Sequence, residues 1–359
     1  MKIIHTADIH LSMDMRGSMI GAEAAEAHRK EMFRTFSRLI GEVRDSKADI
    51  LLIAGDLFEM RCATSLEVAR VFDFFREIPD THVFISCGNH DPLTAASLYG
   101  SMELPDNVTV FPAEMGLIEL EDPAVCVYGF SWDRNAYDSV PFSLPAPDRD
   151  KFNILLLHCD VTGRSRYMPV NLKTLSGLGF DYVALGHIHR PIRLKENICY
   201  PGSLEPLDFS ETGEHGYIMV EGEKGELKVN FVPFAASSFA DITVDAQGAE
   251  GLTQLKDRAA EAIKEAGSGY VRLTFTGTTG SAVDTEWMKE ELSGSAKWLD
   301  IKDGTVRDYD LIKLYRENSD NIIGRFILEL MNDPAGDGTS EEALRVGLDA
   351  LLGNGGGRV

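Results

Sequence analysis

Metal-binding residue types stand at the ends of several short apolar runs in the first half of the chain. Their side chains are carboxylate, imidazole and amide groups, with no thiolate among them. Such donors suit Mn²⁺, Fe²⁺ or Zn²⁺, and Mn²⁺ is the first choice. The candidate ligands are Asp8 and His10 in D-I-H, Asp56 in G-D, Asn89 in G-N-H-D, the single His158, and His187 and His189 in G-H-I-H.

This donor set has the composition of a two-metal hydrolytic site. Two divalent ions roughly 3.5–4 Å apart could clamp a phosphate, activate a water molecule and stabilise charge on the transferring group. Asp56 is the natural bridging ligand. Two ions and two ligand carboxylates leave the site at roughly +2, so even an acidic protein can attract phosphate there. The pattern therefore predicts hydrolysis of phosphoesters.

The neighbours of Asn89 have separate expected roles. His90 follows a candidate ligand directly, and adjacent side chains usually point in different directions. We therefore expect His90 to protonate the leaving oxygen rather than to share a metal ion. Asp91 is expected to cap the turn beside Pro92 and not to bind metal.

All five motifs occur in the order D-x-H, G-D, G-N-H-[DE], H and G-H-x-H. In this the sequence resembles the calcineurin-like metallophosphoesterases. The resemblance implies that His90 occupies the position of the proton donor. It also implies two ion sites that share Asp56: Asp8, His10, Asp56 and His189 for one ion, and Asp56, Asn89, His158 and His187 for the other.

Four longer phrases resemble one branch of that superfamily. They are H-T-A-D-I-H-L, G-D-L-F, D-Y-V-A-L-G-H-I-H-R-P and Y-P-G-S-L-E-P, and they are similar to DNA-repair nucleases such as the bacterial SbcD exonuclease subunit. The resemblance implies a DNA exonuclease or endonuclease that works with an SMC-type coiled-coil ATPase and can form a homodimer. Together with the donor set, it predicts a Mn²⁺-dependent phosphodiesterase acting on DNA. Many members have a histidine three residues after the G-D aspartate, where this chain has Glu59. This departure argues against processive exonuclease activity but not against single-turn or structure-specific cleavage.

The elements that must position these motifs alternate between apolar runs and helical stretches over residues 1–235, which predicts a sheet covered by helices. The carboxyl ends of strands in such sheets converge, so the motifs should meet at one edge. The helix predicted from Ala22 to Val43 carries its apolar residues at helical spacing. The strand candidates are Lys2 to Thr6, Asp49 to Ala54, His82 to Ser86, Val125 to Phe130, Asn153 to Leu157 and Tyr182 to Leu185.

Local geometry in the motifs is also predicted. In D-I-H and H-I-H the two ligands are two residues apart, and residues two apart in an extended chain point the same way. Glycines before Asp56, Asn89 and His187 should permit tight turns. With a hairpin from Gly216 to Phe234, the fold class is a four-layer α/β/β/α metallophosphoesterase sandwich with a small α/β capping domain.

The capping domain is predicted over residues 236–308, where strand, helix, strand, helix and strand patterns follow one another. Helices are expected over residues 309–359. One stretch runs from Asp310 to Met331, and a last helix begins at Thr339, with Glu342 completing a capping box, before a frayed tail from Gly353. These helices could dock the partner ATPase or simply pack on the small domain.

Composition limits the other function classes. The net charge of −22 argues against a protein that binds nucleic acid through its own overall charge. No apolar run is long enough to cross a bilayer, and the amino terminus resembles no signal peptide, so a cytoplasmic protein without membrane contact is expected. The scattered cysteines predict reduced and mostly buried thiols, with Cys159 as an apolar filler rather than a nucleophile.

Basic residues near the motifs are the candidates for substrate contact. Arg164 and Arg166 lie in a stretch without acidic residues after His158, and Arg190 directly follows His189. They could contact a phosphate backbone or belong to solvated loops. Two alternatives to a DNA nuclease stay open. One is a phosphatase or small-substrate phosphodiesterase of the same superfamily, and the other is a scaffold that binds DNA ends.

Overall fold

The structure is a computed structural model that describes residues 1–15, 20–148, 150–163, 166–267, 269–280, 282–331 and 339–352. The chain divides into two compact units, Met1–Ala240 and Asp241–Val359. The predicted boundaries at residues 235 and 308 stay predictions, and the third segment, residues 309–359, stays a proposal.

The first unit contains twelve strands and four helices among its described residues. Its helices are α1 (Ala22–Ser46), α2 (Ser65–Arg76), α3 (Leu98–Ser101) and α4 (Leu172–Gly177). Its strands are β1 (Lys2–Thr6), β2 (Ile50–Ala54), β3 (His82–Ser86), β4 (Val108–Val110), β5 (Gly116–Leu120), β6 (Val125–Gly129), β7 (Phe152–His158), β8 (Tyr182–Gly186), β9 (Ile192–Lys195), β10 (Ile198–Tyr200), β11 (Gly216–Glu223) and β12 (Glu226–Pro233).

These strands form two six-stranded sheets in the orders β12-β11-β1-β2-β3-β4 and β5-β6-β7-β8-β10-β9. Strands β1 to β4 run parallel, and so do β6, β7, β8 and β10. Ile50 and Leu52 of the first sheet share one buried core with Ile154 and Leu156 of the second. The sheets therefore face each other, and the carboxyl ends of their central strands carry the motifs.

Helices cover the outer faces of the sandwich. Leu51 and Ile53 point away from the core between the sheets but are fully buried. The crossover helices α1 and α2 connect β1, β2 and β3, and α1 buries Phe36, Leu39 and Val43 at helical spacing. On the second sheet, short α4 and its flanking loops form the thinner outer layer. The predicted α/β sandwich is confirmed.

The second unit is a smaller α/β structure. Its sheet has the order β13-β14-β16, with β14 and β16 parallel, and β15 pairs with β17. Leu255 of α5 and Met288 of α6 share its core with Phe275 of β14. The elements are β13 (Phe239–Asp245), α5 (Leu252–Glu265), β14 (Tyr270–Thr276), β15 (Thr278–Thr279), α6 (Thr285–Glu291), β16 (Trp298–Asp303), β17 (Val306–Arg307), α7 (Leu311–Glu317), α8 (Ile322–Met331) and α9 (Thr339–Leu351).

The prediction of a continuous helical stretch from Asp310 to Met331 is wrong, because a short non-helical segment separates α7 from α8. The side-chain amide of Asn318 donates to the carbonyl of Leu314 (3.0 Å), which satisfies the end of α7. Asn321 Oδ1 accepts from the backbone N–H of Ile323 (2.8 Å) and Gly324 (3.4 Å) at the start of α8. The apolar periodicity of this stretch gave no sign of the helix ends at Asn318 and Asn321.

Two other features predicted at the carboxyl terminus lie outside the described part of the chain. They are the side chains of the capping box at Thr339 and Glu342, and the tail from Gly353. Among the described residues, no helix combines the length and apolar character that crossing a bilayer requires.

Removal of the Asn321 cap should destabilise α8. We expect Asn321→Ala to lower the free energy of unfolding by about 1 kcal/mol, because two backbone N–H groups lose their acceptor. Asn321→Asp retains an acceptor at the helix start and should unfold like the wild type. Urea unfolding of both variants measures the difference, and equal stability of the alanine and aspartate variants would contradict the capping role.

Candidate metal centre

The seven candidate ligands follow the carboxyl ends of five strands from both sheets. Asp8 and His10 follow β1, Asp56 follows β2 and Asn89 follows β3. His158 is the last residue of β7, and the remaining two histidines follow β8. The fully or largely buried residues are Asp8, His10, Asp56, Asn89 and His158, while His187 and His189 are half-buried.

Donor atoms from distant motifs approach one another closely. Asp56 Oδ2 lies 3.3 Å from His158 Nε2 and 3.8 Å from His10 Nε2. Within the described part of the chain, three sets of carboxylate or imidazole donors lie within 4.8 Å of one another. These sets are Asp8, His10 and His189; Asp8, Asp56 and His158; and His10, Glu59 and His90.

Hydrogen bonds fix the orientation of the His158 ring. Its Nδ1 lies 2.9 Å from the carbonyl of Ala54, which can only accept, so Nδ1 carries the proton. Nε2 then faces Asn89 Oδ1 at 3.0 Å as well as the Asp56 carboxylate. Lone pairs of an imidazole, an amide and a carboxylate thus converge, as they do around a divalent cation. The donor set therefore fits a metal ion.

His187 lies beside this convergence, outside the three sets of described donors. Its ring centroid is 5.3 Å from that of His158 and 4.8 Å from that of Tyr167. Its backbone N–H donates to the two carboxylate oxygens of Asp8 at 3.1 and 3.0 Å. His187 thus links the D-I-H motif after β1 to the loop after β8.

The charges of the cluster favour bound cations. Burial lowers the pKa of His10 and of His187 to about 3, so both rings are neutral bases. Burial also lowers the pKa of His158, but the carboxylates of Asp56 and Asp8 outweigh it and raise that pKa to about 9. The buried carboxylates therefore attract positive charge, which divalent ions would supply.

The expectation of extended backbone in the motifs is wrong. Asp8 and His10 have φ of 50° and 49°, and Asp56 and His187 have φ of 51° and 105°. These residues occupy left-handed or related conformations, which aspartate and histidine adopt more readily than most residues. The N–H groups of the D-I-H loop donate to the carbonyls of Gly55 and Asp56. These backbone hydrogen bonds accompany the left-handed conformation of Asp8 and His10 and not an extended strand.

The motif glycines do more than permit turns. Gly55 has φ of 92°, and a Cβ there would lie 2.2 Å from His158 Nδ1. A Cβ at Gly186, whose φ is not positive, would lie 1.8 Å from the carbonyl oxygen of Ala54. Close approach of the two sheets therefore requires glycine before Asp56 and before His187.

Asp91 has a larger structural role than the predicted cap of the turn at Pro92. Its buried carboxylate accepts from the backbone N–H of Asp56 (3.1 Å), Leu57 (2.9 Å) and Gly88 (2.7 Å). The hydroxyl of Tyr99 also donates to it at 2.8 Å. Asp91 thus joins the G-D loop to the G-N-H loop.

His90 is oriented by Glu59, the residue that departs from the repair-nuclease pattern. His90 Nδ1 lies 2.6 Å from Glu59 Oε2, and Glu59 Oε1 accepts from Arg61 Nε at 3.0 Å. The hydrogen bond that His90 donates to the Glu59 carboxylate raises the pKa of His90. The exposed side of the ring therefore presents a readily protonated group beside His10, whose ring centroid is 4.8 Å away.

The three candidate substrate residues differ in their surroundings. Arg190 is exposed and lines an open cleft together with His187 and His189. Arg166 is exposed and forms an ion pair with Asp138, with Nε and Oδ1 separated by 3.1 Å. Arg164 lies outside the described residues.

The cysteines are free, and Cys62 alone among the five is exposed. Burial raises the pKa of Cys159, which makes a thiolate nucleophile at this position unfavourable. The prediction of reduced and mostly buried thiols is confirmed.

Sequence reasoning missed one acidic residue at the centre. Glu211 Oε1 lies 2.5 Å from His189 Nδ1, on the side of the ring opposite the cluster. Glu211 belongs to no motif and lies in a polar loop, so no local pattern signalled this contact.

Comparison with known proteins gives a family match over the first half of the chain. A family model described as calcineurin-like phosphoesterase matches residues 1–191. The uncharacterized metallophosphoesterase YhaO of Bacillus subtilis (strain 168) is 28% identical over 369 residues, which cover 98% of this chain and 85% of that protein. The crystal structure of TT1561 of Thermus thermophilus is similar with 14% identity and a TM-score of 0.38, covering 64% of this chain and 98% of that one.

Replacement of Asp91 should loosen both loops that it joins. We expect Asp91→Asn to lower the free energy of unfolding by about 3 kcal/mol, because an amide group cannot accept from all of these donors. Urea unfolding of chelated protein measures the effect, with the exposed Asp106→Asn as the control for loss of one charge. Equal stability of the two variants would contradict the role assigned to Asp91.

Proposed function

This chain belongs to the calcineurin-like phosphoesterase family, and on this premise we propose that it is a Mn²⁺-dependent phosphodiesterase acting on DNA. Members of the family are metal-dependent hydrolases of phosphoesters with a dinuclear centre. The proposed ligands are Asp8, His10, Asp56 and His189 for one ion, and Asp56, Asn89, His158 and His187 for the other. DNA repair is the proposed setting, and the cytoplasm the proposed location.

The observation that carries the proposal is the position of Asp56. Its Oδ2 lies within 4 Å of a nitrogen from each proposed set, His10 Nε2 and His158 Nε2. A carboxylate between two groups of metal-binding side chains is the arrangement that two bridged ions would require. When bound, two such ions would neutralise phosphate charge and lower the pKa of the attacking water.

His90 is the proposed general acid. Its Nδ1 is held by Glu59, so Nε2 is the nitrogen that can donate a proton to the leaving oxygen. The Glu59 carboxylate stabilises the imidazolium form and restricts rotation of the ring. Arg61 in turn holds the other oxygen of Glu59.

DNA as the substrate rests on the four phrases that resemble repair nucleases and on the surroundings of His187. Tyr167, which is 37% exposed, lies against the His187 ring and offers an aromatic face on which a base could stack. Arg190 adds a cation to the cleft beside His187 and His189. Such local groups would offset the acidic charge of the whole chain.

An SMC-type ATPase is the proposed partner, docked through the carboxyl-terminal helices. These helices expose several large apolar side chains, which is typical of interaction surfaces. Homodimer formation is proposed on the resemblance alone. The exposed residues are Ile312 (61%), Ile322 (69%), Leu328 (47%), Met331 (57%) and Val346 (64%).

Substrate assays separate the proposed function from its alternatives. With Mn²⁺, we expect the protein to cleave labelled single- or double-stranded DNA as well as bis(p-nitrophenyl) phosphate, and Asp56→Asn to abolish both activities. Cleavage of the small ester without DNA would favour a small-substrate phosphodiesterase or phosphatase. Cleavage of neither would favour a scaffold that binds DNA ends.

Replacement of His90 should affect poor leaving groups most. We expect His90→Ala to lower kcat on DNA by about 10²- to 10⁴-fold and to lower kcat less on bis(p-nitrophenyl) phosphate, because p-nitrophenolate departs without a proton. Glu59→Gln keeps the imidazole and should give a smaller loss with the same dependence on the leaving group.

The manganese content of these variants is the control for metal binding. It should equal that of the wild type, as measured by elemental analysis after desalting. Loss of both ions in His90→Ala would instead identify His90 as a ligand.

A further inference from the structure

The phrase Y-P-G-S-L-E-P, residues 200–206, contacts several segments that surround the metal centre. The hydroxyl of Tyr200 donates to the carbonyl of Cys159 (2.7 Å) and accepts from the N–H of Val161 (3.1 Å), directly after His158. The carboxylate of Glu205 accepts from the N–H of Ala236 (2.7 Å) and from the hydroxyl of Thr35 in α1 (2.5 Å). Residues 200–206 therefore connect the loop after His158 with α1 and with Ala236.

The middle of the phrase packs against the backbone of the H-I-H loop. The N–H of Ser203 donates to the carbonyl of His189 at 3.1 Å. Gly202 has φ of 79°, and a Cβ there would lie 2.8 Å from the same carbonyl oxygen. The backbone of His189 is thus held from one side by a segment that tolerates no side chain at its closest point.

Glu211 connects residues 200–206 to the His189 ring. Its Oε1 lies 2.5 Å from His189 Nδ1, while Oε2 accepts from Ser203 Oγ and from the N–H of Leu207, each at 3.0 Å. His215 Nε2 lies 3.1 Å from the carbonyl of Glu211 and holds its backbone. The carboxylate is 13% exposed, and its hydrogen bonds to His189, Ser203 and Leu207 hold it in place.

These contacts determine which nitrogen of His189 faces the cluster. A carboxylate can only accept, so His189 Nδ1 carries a proton and Nε2 is left to face the other donors. Nε2 lies 3.3 Å from His10 Nε2 and 3.8 Å from Asp8 Oδ1. In metal centres a carboxylate behind the histidine fixes the ring and increases its basicity.

We propose that Glu211, held by Ser203 and the Leu207 N–H, is a positioning residue that presents His189 Nε2 to the metal ion bound with Asp8 and His10. This inference rests on the proposed two-metal site, and it adds a residue outside the family motifs. In this role Glu211 would contact neither the phosphate nor the attacking water. It acts through the orientation and charge of His189.

Metal affinity tests the proposal without turnover. Titration of chelated protein with Mn²⁺, followed by the electron paramagnetic resonance of free Mn²⁺, gives the number of sites and their Kd values. We expect Glu211→Gln to raise the Kd of one site by about 10- to 100-fold and to leave the other site within a fewfold of the wild type. Ser203→Ala, which removes one of the partners of Glu211, should give a smaller increase at the same site.

Glu214→Gln is the matched control. Glu214 is exposed on the same loop and lines the same cleft, so its replacement removes an equal charge without touching His189. If Glu214→Gln weakens Mn²⁺ binding as much as Glu211→Gln does, general loss of charge explains the effect and the proposal is overturned. The same holds if Glu211→Gln lowers the Tm of the chelated protein and weakens both sites equally.

A spectroscopic measurement examines the ring directly. In protein loaded with Zn²⁺ and labelled with ¹⁵N-histidine, the Nδ1–H of His189 should be shifted downfield and protected from solvent exchange. Glu211→Gln should remove the shift and the protection, whereas Glu214→Gln should not. Unchanged signals and an unchanged Kd in Glu211→Gln would overturn the inference even if the wild type hydrolyses phosphodiesters. Absence of hydrolysis by the wild type would instead count against the proposed function.

Discussion

Hydrogen bonds between the two sheets position the side chains of the candidate metal centre. His158, at the end of a strand in the second sheet, donates to the carbonyl of Ala54 in the first. In the other direction, the N–H of His187 from the second sheet donates to the carboxylate of Asp8 from the first. A buried charge without a partner is costly, so these bonds stabilise the carboxylate and fix the spacing of the sheets together. Glycine at positions 55 and 186 permits that spacing.

The parts that the sequence predicted correctly are those specified locally. The six strand candidates of the first unit are present with ends shifted by at most one residue, because each is a short apolar run bounded by polar residues. The strands that sequence reasoning overlooked include β4, β5 and β9. These lie at sheet edges, where one neighbour is missing and the apolar pattern is weaker.

The contacts that orient the candidate ligands and His90 could not be predicted, because they join residues far apart in the chain. Glu59 reaches His90 over 31 positions, and Glu211 reaches His189 over 22. Asp91 is expected from the sequence only to cap a turn, but the N–H groups of the G-D loop that donate to it lie 35 and 34 residues earlier in the chain. Spacing within a motif identifies donors, whereas their protonation and direction depend on tertiary neighbours.

The left-handed backbone at Asp8, His10 and Asp56 places a second demand on these positions, independent of metal chemistry. Aspartate, asparagine, histidine and glycine adopt such conformations at low cost, whereas β-branched residues do so at high cost. Selection for the loop shape would therefore persist in a descendant that had lost its ions. Such a pseudoenzyme would keep recognisable motifs with asparagine or glycine in place of aspartate. A partial motif match alone would therefore not distinguish an active enzyme from an inactive relative.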